Sequence, residues 1–333
     1  MHDATPSAEF GPVTVYFGEK TGKYPDGNQV VVRGRDATAA FDTPKVANRI
    51  GAALDAVDLV ILGHVHEDHM AGLHRLRHVP VHVHEADLEA AQSWDGLSRH
   101  YGYPPAVLRA LKTKIEAEFN YVPRPDATAY ADGAVWDLGG VRVRAIHMPG
   151  HTSGHCVLLV EPHGIAFIGD IELSSFGPYY GDATSHLGQF RLTLARLEEL
   201  PASTWITSHH KGALTDRTAF VTALHAFAAR IDEREARLLE MLNAGPRTLA
   251  ELVRQRLLYP PQHAEIWVDC AEERSISQHL EELAAAGRVV QHAGRWSRAP
   301  DLPSGRQAAP RNPRGASPST VQRRTTRACL NES

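Results

Sequence analysis

An apolar run, VDLVIL at 57–62, ends one residue before HVHEDH at 64–69. A short, continuous apolar stretch is what a strand buried on both faces requires. His64, His66, Asp68 and His69 then crowd six positions at its end. Such crowding is either a polar turn rich in histidine or a metal site. Imidazole and carboxylate donors suit zinc, iron or manganese. Two histidines at i and i+2 can aim at one ion, and an Asp and a His where the chain bends can reach a second. Even with twenty histidines in 333 residues, this local pattern is a rare accident, so the metal reading is preferred.

A closed site needs further donors, and three other segments offer them. HMPGHTSGH at 147–155 carries His151 after a strand and a Pro-Gly turn. FIGD at 167–170 is a buried strand ending in Asp170, and TWITSHHKG at 204–212 is a strand ending in His209 and His210. All four clusters share one plan, an apolar strand whose C-terminal end carries His or Asp. Donors at strand ends on one edge of a layered fold converge on a cleft.

HVHEDH, PGHTSGH, GD and SHHKG together resemble the motif signature of the metallo-β-lactamase superfamily. The spacings fit as well: 82 positions from His69 to His151, 19 to Asp170 and 39 to His209. The resemblance covers about residues 12–215. It implies the αβ/βα sandwich of that superfamily and two divalent metal ions, zinc first, with iron or manganese as alternatives. Carried over by position, one ion falls to His64, His66 and His151, the second to Asp68, His69 and His209, with Asp170 bridging. The last motif here has two histidines before Gly212. The register of TWITS favours His209, and His210 is the alternative.

The rest of the chain reads as an α/β layered domain with an appendage. VTVYF at 13–17 and QVVVR at 29–33 are expected to pair, and FDTP at 41–44 to close a further strand. Residues 44–55 and 85–117 read as helical, the latter interrupted at YGYPP, with an amphipathic helix at 187–200. A long helix is expected over about 216–243. Thr248 with Glu251 and Ser275 with Gln278 read as capping boxes opening two more helices, and RVVQHAGRWSR as a hairpin turning at Ala293–Gly294. Helix, helix and hairpin together look like a winged-helix domain. The expected division is thus a catalytic domain over 1–215, a connecting helix over 216–245, a winged-helix-like α+β domain over 246–300, and a disordered tail over 301–333, where Pro, Ser, Arg and Gly dominate.

Several classes are disfavoured. The net charge of −4 gives no general pull toward nucleic acid or anionic membrane. Residues 246–300 balance seven Arg against seven acidic residues, and Glu281 and Glu282 on the presumed recognition helix would repel phosphates. A structural or homodimer-forming role is preferred there. No stretch is apolar enough to span a bilayer, and no signal peptide is visible in MHDATPSAEFGP. Three scattered cysteines, Cys156, Cys270 and Cys329, fit a reducing cytoplasm. Ser153 has no GxSxG setting, which argues against a serine nucleophile.

The expected activity is hydrolysis of a small ester or thioester, with Asp68 orienting the nucleophile. Phe176, Tyr179, Tyr180 and Lys211 are candidates for substrate contact. His155 is expected to support the ligand loop and Glu67 to face solvent. The rivals are a ribonuclease or phosphodiesterase, a mononuclear iron persulfide dioxygenase, and a non-enzymatic winged-helix regulator with a metal-sensing domain.

Overall fold

The structure is a computed structural model and describes residues 5–300. Its first sheet has seven strands in sequence order: β1 (Ser7–Phe10), β2 (Val13–Tyr16), β3 (Gln29–Arg33), β4 (Thr38–Phe41), β5 (Leu59–Ile61), β6 (Val81–His84) and β7 (Thr128–Tyr130). β1 to β4 run antiparallel, and β4 to β7 run parallel. The parallel crossovers carry the one-turn α2 (Ala52–Asp55) and then α3 (Leu88–Gln92), α4 (Trp94–Tyr101) and α5 (Pro105–Glu118); a one-turn α1 (Glu19–Gly22) lies between β2 and β3. The second sheet, in spatial order, is β13 (Ala213–Leu214), β12 (Thr204–Ile206), β11 (Ile165–Phe167), β10 (Cys156–Glu161), β9 (Arg142–His147) and β8 (Val135–Asp137).

Alternation along the strands builds the layers. Val30 and Val32 of β3 face the second sheet and pack with Leu158, Val160 and Phe167. Val31, between them, faces the other way and packs with Leu54, Leu97, Leu111 and Ile115 of the helical layer. On the far face of the second sheet, Leu159 and Trp205 meet α6 (Leu187–Leu197) and the first half of α7 (Arg217–Asn243). The order is therefore helices, sheet, sheet, helices.

The second half of α7 serves a different core. Leu238 and Leu242 pack with Leu252 of α8 (Leu249–Gln255) and with Ile276 and Leu280 of α9 (Val268–Ala285). β14 (Arg247–Thr248), β15 (Val289–His292) and β16 (Arg295–Arg298) form a third sheet in the order β14-β16-β15. The hairpin turns at Ala293 and Gly294, both at positive φ. The described residues up to Ala299 form one compact unit. Among the described residues no helix is long and apolar enough to cross a membrane.

Three local expectations are corrected. Thr248 and Glu251 do form a capping box at the start of α8, whereas Ser275 and Gln278 lie within α9. The Gln278 amide instead donates to the Tyr180 carbonyl and accepts from the Leu187 N–H, so the spacing serves the docking of α9 against Tyr180 and the start of α6. β4 ends at Phe41, because Asp42 takes φ of 52° and leaves the ladder. β1 and β7 join the two ends of the first sheet, which was not expected: their four and three residues carry too little apolar pattern to register. The expected tail over 301–333 lies outside the described residues.

Candidate metal centre

Sheet directions decide where the donors meet. β5 feeds His64, β9 feeds His151, β11 feeds Asp170 and β12 feeds His209. β9 and β11 both run antiparallel to β10, and β12 runs parallel to β11, so their C-terminal ends share one edge of the second sheet. Gly169 allows the turn into Asp170: its φ is +55°, and a Cβ there would lie 2.6 Å from His155 Nε2.

The expected donors come together, and all are buried. Asp170 lies at their centre. One of its oxygens, Oδ2, is 3.4 Å from His151 Nε2 and 3.8 Å from His64 Nε2. The other, Oδ1, is 3.1 Å from His69 Nε2 and 3.4 Å from His209 Nε2. Asp68 Oδ2 is 3.1 Å from His209 Nε2. Donor atoms of His64, His66, His151 and Asp170 lie within 4.8 Å of one another, as do those of Asp68, His69 and His209.

Each ring's far nitrogen determines what its near nitrogen offers. His69 Nδ1 is 2.8 Å from Asp42, His209 Nδ1 is 2.7 Å from the Gly22 carbonyl, and His151 Nδ1 is 3.0 Å from the Tyr179 carbonyl. His66 Nε2 is 2.9 Å from Asp182. Because these partners accept, each far nitrogen carries the proton of the neutral ring, and the near nitrogen presents a lone pair. His66 Nδ1 and His151 Nε2 then face each other at 3.1 Å, an unfavourable approach of two lone pairs unless a cation or a further proton lies between them. His64 Nε2, His69 Nε2 and Asp170 Oδ1 are buried without any hydrogen-bond partner. Such orphans are rare in native proteins, and divalent cations seated in the two donor groups would satisfy them. The residues present fit a metal.

Electrostatics agree. Burial disfavours imidazolium at His69 and His209, yet Asp170 and Asp68 outweigh it, leaving His69 well above the usual range and His209 up to about 10. These carboxylates thus demand positive charge at the rings, whether a proton or a metal. Burial pushes the Asp170 carboxyl up, but His69, His209 and His64 bring it well below the usual carboxylate range.

Several residues differ from expectation or were missed. Glu67 does not face solvent; it is buried and accepts hydrogen bonds from the Tyr24 and Tyr101 hydroxyls. His209 is buried among the donors, while His210, at φ of 64°, sits at the cleft 3.5 Å from Glu172. Asp42, Asp87, Asp182 and Glu172 were missed. Asp87 ties two motifs together, accepting from Val65 N, Thr152 Oγ1 and Gly154 N at 3.2, 2.8 and 2.8 Å. None of these partners is near it in sequence, so no local signal marked it. His155 supports the ligand loop as expected, with Nδ1 3.1 Å from the Met148 carbonyl, and its Nε2 also accepts from the Asp170 N–H at 3.3 Å.

A cleft of about 900 Å³ opens over the cluster. Phe176, Tyr179 and Lys211 line it. Tyr180 does not: it is fully buried, with its hydroxyl 2.8 Å from His279 Nε2.

Residues 32–209 match the family model of the metallo-beta-lactamase superfamily. The chain belongs to the metallo-beta-lactamase superfamily. Within it, the chain is similar to a hydroxyacylglutathione hydrolase of Methylococcus capsulatus, 27% identical over 68% of this chain and 78% of that protein. It is also similar to an atrochrysone carboxyl ACP thioesterase of Emericella nidulans, 26% identical over 59% of this chain and 61% of that protein. The first three curated relatives are matched over only 34%, 47% and 61% of their own length. A beta-lactamase domain protein from Burkholderia ambifaria shares the metallo-beta-lactamase fold, with a TM-score of 0.65 at 19% identity over 90% of this chain and 96% of that one.

Proposed function

We propose that this chain is a metal-dependent hydrolase of thioesters. The observation that carries this reading is the placement of Asp170, one oxygen toward His64 and His151 and the other toward His69 and His209, beneath an open cleft. The thioesterase and hydroxyacylglutathione hydrolase relatives support the choice of thioesters.

In this reading His64, His66 and His151 hold one divalent ion, Asp68, His69 and His209 hold a second, and Asp170 serves both. Zinc is preferred, with iron and manganese as alternatives. Such ions, when bound, lower the pKa of water and polarise a carbonyl. The chain's own part is positional. Asp42, Asp182 and the carbonyls of Gly22 and Tyr179 hold the rings in the tautomer whose lone pairs face inward. Asp68, whose carboxyl is lowered overall because His69 and His209 outweigh its burial, is ionised at neutral pH and can take the proton of the attacking water. Water adds to the acyl carbon, the carbon–sulfur bond breaks, and an acid and a thiol leave. Lys211 at the cleft suits an anionic arm of the thiol.

Residues 1–215 are proposed as the catalytic domain, 216–245 as the connecting helix and 246–300 as a winged-helix-like domain with a structural or homodimer-forming role. The test is metal content per chain, by elemental mass spectrometry, together with hydrolysis of a panel of acyl thioesters. About two divalent ions per chain and thioester turnover abolished by His64→Ala support the proposal. A single iron with no turnover favours the dioxygenase reading instead.

A further inference from the structure

The cleft wall is not made by the catalytic layers alone. Tyr259, Pro260, His263 and Trp267, from the segment between α8 and α9, line the same cleft as Asp68 and His151. Two buried charges hold that arrangement. The Glu272 carboxylate of α9, fully buried, accepts from the backbone N–H groups of Leu257, Leu258 and Tyr259 at 2.6, 2.9 and 2.8 Å. Charge-assisted bonds of this kind are the strong ones, and a carboxylate buried this deeply persists only when it is so satisfied. Arg234 of α7, also buried, donates to the carbonyls of Phe176 and Pro178. The two anchored loops meet where the rings of Phe176 and Tyr259 approach to 5.2 Å.

Aromatic rings continue from the ligand rings outward. Tyr101 stacks on His66 at 5.9 Å and on Tyr103 at 5.6 Å, and Tyr179 lies 5.8 Å from His151. The phenols of Tyr101, Tyr103 and Tyr179 are already spent on Glu67 and Asp182, so these three offer ring surface rather than free hydroxyls. Flat rings recognise a flat apolar group by offset or edge contacts.

We propose that Tyr259 and Phe176, held by Glu272 and Arg234, complete an aryl-acyl subsite, so that the preferred substrates carry a flat aromatic acyl group. This rests on the thioester hydrolase reading, and it makes the segment from Leu257 to Trp267 a determinant of specificity.

The experiment measures calorimetric binding of phenylacetate and acetate to the full chain as purified. The two acids share a carboxylate, so their affinity ratio isolates the aryl group. Thioesters of the same two acids with one common small thiol are assayed in parallel. Phenylacetate is expected to bind at least about tenfold more tightly than acetate. Tyr259→Leu, which keeps apolar volume, and Glu272→Gln, which keeps size, are each expected to bring that ratio below about threefold with metal content unchanged. An equal affinity in the wild type, or a ratio untouched in Tyr259→Leu, overturns the subsite. A strong phenylacetate preference without hydrolysis of either thioester upholds the subsite and rejects the hydrolase reading. Hydrolysis of both thioesters with no binding preference does the reverse.

Discussion

The carboxylate of Asp182 lies 2.9 Å from Nε2 of His66, a partner 116 positions earlier in the chain. This contact turns His66 Nδ1 toward His151, so the second histidine of HVHEDH is expected to offer a different nitrogen from the first. The same carboxylate accepts from the hydroxyls of Tyr103 and Tyr179. Acceptors behind a ligating histidine orient its ring and raise its basicity. Asp182→Asn is therefore expected to weaken metal affinity by roughly 10- to 100-fold, measured by competition with a chromophoric chelator. An affinity equal to that of the wild type would rule out this role for Asp182.

His209 and His210 are adjacent but differently placed. His209 is buried against Asp68 and Asp170, whereas His210 faces Glu172 at the cleft. His209→Ala is expected to lose bound metal, and His210→Ala to retain the wild-type content. Elemental analysis of the two purified variants makes the comparison directly, and the reverse result would move the last donor to His210.

Metal removal should cost stability, because the cluster gathers Asp68, Asp170 and buried rings that need positive charge. A ligand held at a hundred times its dissociation constant stabilises the fold by about 2.7 kcal/mol. Chelator treatment is expected to lower the urea midpoint, and Asp170→Asn to shrink that chelator effect. A midpoint indifferent to chelator would argue that no tightly bound ion couples to folding.

His279 provides a pH-dependent stability term far in sequence from the donor motifs. Burial, helped by Arg191 and Arg234, lowers its pKa to about 3. The folded pKa lies below the unfolded value near 6.5, so the unfolded chain binds the extra proton as pH falls through this window. The neutral-ring advantage is thus complete above about 6.5 and declines by about 1.4 kcal/mol per pH unit toward 3. His279→Gln should be less sensitive to acid than the wild type between pH 6 and 4.5, as read by urea unfolding at each pH. Parallel stability curves would show that His279 does not titrate as described.

The capping box of α8 is a local device with a local cost. Thr248 Oγ1 accepts from the Glu251 N–H at 3.2 Å, and the Glu251 carboxylate accepts from the Thr248 N–H at 2.7 Å. Thr248→Ala is expected to destabilise the protein by about 1 kcal/mol, measured by urea denaturation, with metal content unaffected.

Much of the centre was legible because its signals are short. The apolar strand and the donor that follows it lie within a few residues at each of the four motifs, and strand direction alone brings such ends to one edge. The acceptors behind the donors were not legible. Asp42 reaches His69 across 27 positions, and Asp87 reaches Gly154 across 67; an isolated aspartate in a loop looks the same whether or not it finds a partner. Ser275 shows the converse error, since a Ser followed three residues later by Gln has the spacing of a cap, yet here it faces Tyr180 from within α9.

The sequence by itself determined the candidate donors, the strands that end in them, the capped start of α8 and the hairpin at Ala293–Gly294, because each depends on local periodicity or turn chemistry. Only the tertiary structure decided that Asp170 turns one oxygen to each histidine pair, that Glu67 is buried, that Tyr180 belongs to the core and that Tyr259 reaches the cleft. These depend on how two sheets and their helical layers register against each other. That register is set by the burial of side chains far apart along the chain, which no window along it contains.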